Sequence, residues 1–149
     1  MNEEAQFKGS EIVTDWFGYW PSLHDAEVLS ADFQRGTVGS GPELHVKVHA
    51  FEMTSEVTEK GYFKLTKHCI VELRFERVCD VELRKFAPQN VIDGISLSLV
   101  PARDGSKRIA VEFEGLTEME FRFSCSAAIV LGLTAGIPTE GVYARESAA

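Results

Sequence analysis

Within the segment Trp16-Phe17-Gly18-Tyr19-Trp20-Pro21-Ser22-Leu23-His24-Asp25-Ala26-Glu27 lie both tryptophans of the chain and one of its three tyrosines. Three groups able to bind a metal or move a proton follow at once: His24, Asp25 and Glu27. In an extended segment Asp25 and Glu27 share a face and His24 points away. One strand therefore presents all three to a single metal only if the chain bends between Ser22 and Asp25. Ligation would also draw on His45, His49 or His68, and no HExxH or similar spacing occurs. The plainer reading is structural. His24 can donate to a backbone carbonyl, Asp25 can cap a turn through its own side chain, and the aromatics can close one end of a sheet. Taken as a binding surface, the segment offers Trp16, Tyr19, Trp20, His24, Asp25 and Glu27.

Other groups are less suggestive. His45 and His49 share a strand face but stand roughly 13 Å apart by strand rise, too far for shared ligation, and are expected in solvent. Cys69, Cys79 and Cys125 contain no CxxC pair, so neither a disulfide scaffold nor a zinc site is expected. Cys69 and Cys125 fall in register with apolar strand positions and read as buried thiols. There is no GxSxG elbow, P-loop or GxGxxG. No metal, cofactor or catalytic set is assigned. A second candidate surface is acidic: Glu112, Glu114, Glu118 and Glu120 gather on the outward face of a hairpin if their strands pair through a turn at Gly115. Like charges placed together cost stability. Arg108 and Arg122 moderating a solvated face is the simple account, and a patch for a basic partner is the sharper one.

These residues need elements to hold them. Ile12, Val13, Trp16 and Phe17 recur at helical spacing over Ser10–Phe17. Ser10 is placed to cap that helix and Gly18 to end it. From Glu27 the period becomes two. Segments follow at 28–33, 44–50, 69–75, 95–100, 107–114 and 119–125, with turn residues between them. Thr54 to Gly61 is expected to be a loop, and Asp104-Gly105 a hairpin turn. The segment holding Val81, Leu83 and Phe86 is of unclear type. Ala127 to Leu133 is open between a buried strand and a short helix. One short helix cannot cover so much apolar strand surface, so the sheet must curl or pack on a second one. The fold class is α+β, mostly β: a curled or two-layer antiparallel sheet with a short N-terminal helix. A single domain spans 1–149, with an ordered core at about 10–133 and a flexible tail from about 140.

Composition limits the partners. The net charge of -8 works against binding nucleic acid or anionic lipid, because phosphate contacts need Lys and Arg. An acidic N-terminus and the brevity of the longest apolar run point to a cytoplasmic location rather than a leader or a membrane span.

The stretch Trp16 to Val28, with its Trp-Pro-Ser-Leu-His-Asp-Ala-Glu core, resembles the immunity protein 50 family of bacterial polymorphic toxin systems. That resemblance implies a small cytosolic protein that binds and neutralises a cognate toxin, and it carries no catalytic residues to this chain. The leading reading is thus a toxin-binding domain rather than an enzyme, acting by occlusion. The alternatives are a small enzyme or a ligand- or metal-binding domain built on His24, Asp25 and Glu27, and an oligomeric scaffold whose sheet faces a second copy.

Overall fold

A computed structural model describes residues 7–138; the expected tail from about 140 lies outside them. After the two-residue β1 (Phe7–Lys8) and helix α1 (Glu11–Phe17) come β2 (Glu27–Gln34), β3 (Glu43–Val57), β4 (Phe63–Glu76), β5 (Cys79–Arg84), β6 (Ile92–Pro101), β7 (Lys107–Gly115), β8 (Glu120–Cys125) and β9 (Ala127–Ala135). They form two sheets, ordered β1-β9-β4-β3-β2 and β5-β8-β7-β6. All pairings are antiparallel except the short β1–β9 contact. The architecture is mostly β, and the sheets do not close into a barrel.

The period-two pattern is the reason for the layers. On the first sheet Leu44, Val46, Val48, Val71, Leu73 and Phe75 alternate with polar neighbours and turn inward. Ile95, Leu97, Ile109, Val111, Phe113, Phe121 and Phe123 do the same from the second. Phe75 reaches across the gap and meets Phe123 edge-on at 4.8 Å and Phe113 at 6.2 Å. Burying one such ring is worth about 1.5–3 kcal/mol. Cys69 and Cys125 are fully buried, and burial pushes both thiols up to about 12.

Helix α1 and the segment after it plug one end of the sandwich. Val13, Trp20 and Leu23 meet Val48, Val71 and Leu73 of one sheet and Ile95 of the other around a cavity of about 10 Å³. Gly18 ends the helix at φ 86°, its N–H donating to Thr14 O at 2.7 Å. Ser10 does not cap through its side chain as expected. The chain already turns helically there, and the first free N–H groups, from Ile12 to Thr14, donate to the carbonyls of Gly9 and Ser10.

One expected loop changes, and one open segment takes a form. Thr54 to Gly61 is not all loop, because β3 runs on to Val57. The Thr54 hydroxyl donates to Lys64 O at 2.8 Å, and Glu56 pairs with Lys64 at 3.8 Å. The polar residues therefore form the wet face of a strand. The turn itself is Thr58 to Tyr62, with Gly61 at φ 86°. The ambiguous Ala127 to Leu133 is strand, paired to β4 along its length.

Candidate functional site

The His24 segment bends where the metal argument required it to. Leu23 and Asp25 both adopt positive φ, 62° and 66°. Asp tolerates that region better than most residues. The Asp25 N–H donates to Ile92 O and the Ile92 N–H returns a bond to Ala26 O, which straps the segment to β6. The bend overturns the extended geometry. His24 does not point away from Asp25; its Nε2 lies 3.5 Å from Asp25 Oδ2, while Nδ1 lies 2.6 Å from Asp93 Oδ1. The hydrogen bond to Asp93, then the charge of Asp25, raise the His24 pKa. A protonated ring donates from Nδ1 to Asp93 and is paired by charge with Asp25 at Nε2. Because those carboxylates sit on opposite ring nitrogens, they do not converge on one metal, and neither nitrogen addresses a hydroxyl or thiol nucleophile. Among the described residues no group of three His, Cys, Asp or Glu could hold a metal ion.

Glu27 does not join this cluster. It is 4% exposed on β2, paired in register with His49 on β3. Burial raises its pKa, opposed by a hydrogen bond from the Asn90 backbone. Asn90 is itself buried, its side-chain amide donating to Val28 O and Ala87 O. His49 departs from the expected solvated pair with His45. It is 1% exposed, stacked on His68 with ring centroids 5.2 Å apart. Burial first, then the neighbouring His68, lowers its pKa to about 4. His45 stays partly exposed beside Glu43, 3.3 Å away.

The aromatics go to three places. Trp16 donates from Nε1 to Lys67 O at 2.9 Å. Half-exposed Tyr19 donates to Glu52 Oε2 at 2.8 Å, and that bond raises the phenol pKa. Trp20 stacks on Phe7 at 5.3 Å with its buried Nε1 unpaired. Lys67 Nζ donates to Phe17 O at 3.2 Å and lies 3.7 Å from Glu52. The segment thus grips β3 and β4 at one end and β6 at the other.

On the second sheet Glu112, Glu114 and Glu120 do share the outward face, exposed on β7 and β8. Glu118 lies instead in the turn between those strands. Their surroundings are less acidic than the hairpin alone implies. Arg84 is 3.9 Å from Glu120, Lys85 is 3.4 Å from Glu118, and Arg122 donates to Glu82 at 2.8 Å while standing opposite Glu112 in register. Glu112 and Glu114 have no ion pair among the described residues. Short side chains at Ser96, Ser98, Ala110 and Ser124 leave a groove of about 290 Å³ beside Glu112 and Arg122.

A sequence model of the immunity protein 50 family matches residues 9–136. The chain belongs to that family. No curated protein and no solved structure matches it. In this immunity protein 50 family member the match takes in α1, the Trp-rich segment and β2 to β9, leaving out only β1. Sequence reasoning missed the partners that organise the segment: Asp93, Glu52, Lys67 and Asn90. Each is remote in the chain, Asp93 lying 69 positions from His24, and spacing along a sequence carries no signal for such a pair. Among the described residues no helix is long and apolar enough to cross a membrane.

Proposed function

We propose that this protein binds and neutralises a cognate toxin in the cytoplasm by covering its active or substrate-binding surface. Its contact face would be the outward side of the second sheet. Family membership supports an immunity role. The observation that carries the choice of surface is the pair Glu112 and Glu114, exposed and without an ion pair among the described residues, beside the Ser-lined groove. A basic toxin would satisfy both carboxylates, and a chain of net charge -8 would steer it inward. Three free cysteines suit a reducing compartment.

The experiment is association kinetics with the toxin encoded beside the gene, comparing the protein with Glu112→Lys and Glu114→Lys. Glu118, already paired with Lys85, is the weaker choice for reversal. Charge steering is worth about tenfold or more in association rate, so the variants should associate more slowly and the native rate should fall with salt. Rates indifferent to both changes would overturn the acidic face, and absence of any complex would overturn the toxin-binding reading itself.

A further inference from the structure

The pairing that holds β3 and β4 in the first sheet stops before the strands do. β2 accompanies β3 only as far as His49, and β9 accompanies β4 only from Cys69. Beyond those points the two strands pair with each other: Glu52 with Thr66, Met53 with Leu65, Val57 with Phe63. From Thr66 to Phe63 the two-stranded arm reaches about 10 Å by strand rise, β3 taking up its extra residues in a register shift between Met53 and Val57, before the turn at Thr58–Tyr62. Its root is braced by the Trp-rich segment, through Trp16 on Lys67 O and Tyr19 on Glu52.

The arm has two unlike faces. Phe63 and Leu65 are two residues apart and share a face, and their cross-strand partners Val57 and Met53 join them there. Met53 is 45% exposed, Val57 62%, Phe63 55%, and Tyr62 at the turn 69%. The other face carries the Glu56–Lys64 pair. A two-stranded hairpin is marginal in water unless its apolar face is covered, and clustered apolar exposure of this kind marks an interaction surface.

Charge decides between occupants. Residues 52–67 hold Glu52, Glu56 and Glu59 against Lys60, Lys64 and Lys67, so the arm is neutral while the chain carries -8. A basic partner is drawn to the acidic body and gains nothing electrostatic here. Two copies repel each other through their bodies, but a neutral arm of this reach keeps those bodies farther apart than the Debye length of about 8 Å at physiological ionic strength. We infer that the apolar faces of two arms, built on Met53, Val57, Phe63 and Leu65 with Tyr62 at the rim, pack on each other about a two-fold axis and join two copies of this chain. Such an isologous contact needs only one self-complementary patch. It stands independently of what the acidic face binds.

Light scattering on the full chain after size exclusion, over a concentration series without toxin, tests this. The expected result is a mass rising to twice that of the monomer. The double variant Val57→Thr/Phe63→Thr, β-branched to keep the strand, should weaken the dimer by about tenfold or more with an unchanged circular dichroism spectrum. Should that variant misfold, Tyr62→Ser in the turn carries the same test. Lowering the salt, which lengthens the Debye length beyond the separation of the acidic bodies, should weaken the dimer, whereas salt above the physiological level should not dissociate it. A native protein that stays monomeric throughout, a dimer indifferent to the folded arm variants, or a dimer that salt dissociates overturns the inference.

Discussion

His24 and Glu27 stand three residues apart, and both have raised pKa values for opposite reasons. His24 is held by two carboxylates, which favour its charged form. Glu27 is buried, which favours its neutral form. The consequence for stability follows from the sign. A group whose folded pKa lies above its unfolded value stabilises the fold fully below the unfolded pKa and loses that contribution as pH rises through the folded one. The Glu27 charge therefore costs stability once it forms in the fold. Glu27→Gln removes the charge and keeps an oxygen to accept the Asn90 N–H. It should raise the melting temperature at pH 7 and leave it nearly unchanged below pH 4.5. An equal gain at both pH values would trace the effect to something other than desolvated charge. Residue types were legible in the sequence here, but roles were not. The stretch was readable as rich in ionisable groups, whereas the positive φ at Leu23 and Asp25 that divides His24 from Glu27 is imposed by the backbone bonds to β6.

Two tryptophans of one motif serve different elements. Trp16 ties α1 to β4 through Lys67 O, and so links the helix to the root of the arm. Trp20 contributes ring area against Phe7, and its buried N–H has no acceptor. Phe at position 16 loses a hydrogen bond, which costs about 0.5–1.5 kcal/mol. Phe at position 20 loses ring size but removes an unpaired donor, and the two effects offset. Denaturant midpoints should accordingly fall more for Trp16→Phe than for Trp20→Phe; the reverse order would show that ring volume, not the indole N–H, sets the difference. The elements themselves were legible wherever apolar residues alternated with polar ones, as from Val71 to Phe75 and from Phe121 to Cys125. Alternation failed as a guide in the arm. Thr54, Ser55 and Glu56 look like loop in composition, yet they lie in strand because Thr54 and Glu56 bond across to Lys64. A protruding strand with water on its polar face has nothing in its composition to distinguish it from a turn.

At the scale of the molecule, the two-layer form followed from counting apolar strand faces against one short helix. The burial of His49 did not, since its position on the strand alternation assigns it to the outward side. That burial sets an acid limit to stability. His49 titrates at 6.5 in a model peptide and at about 4 in the fold, held down by burial and then by His68. Between those values the unfolded chain binds the extra proton, so stability falls as pH falls. Each tenfold difference in proton affinity is about 1.4 kcal/mol, so this one titration draws on a sizeable share of the 5–15 kcal/mol typical of a domain. His24, Glu43 and Asp104 act in different windows. His24, with its raised pKa, loses its contribution as pH climbs above 6.5. Glu43 and Asp104, with lowered pKa values, lose theirs only as pH falls below 4.5 and 3.8. Glu27 opposes His49, gaining stability as it protonates on acidification. The interval from pH 6.5 down to the start of carboxylate titration therefore belongs chiefly to His49. Thermal melts across it should show a steady decline for the native protein. The decline should flatten for His49→Phe, which keeps a ring against Phe51 and His68 and takes no proton. A native profile flat over that interval, or a variant as steep as the native protein, would remove His49 as the cause.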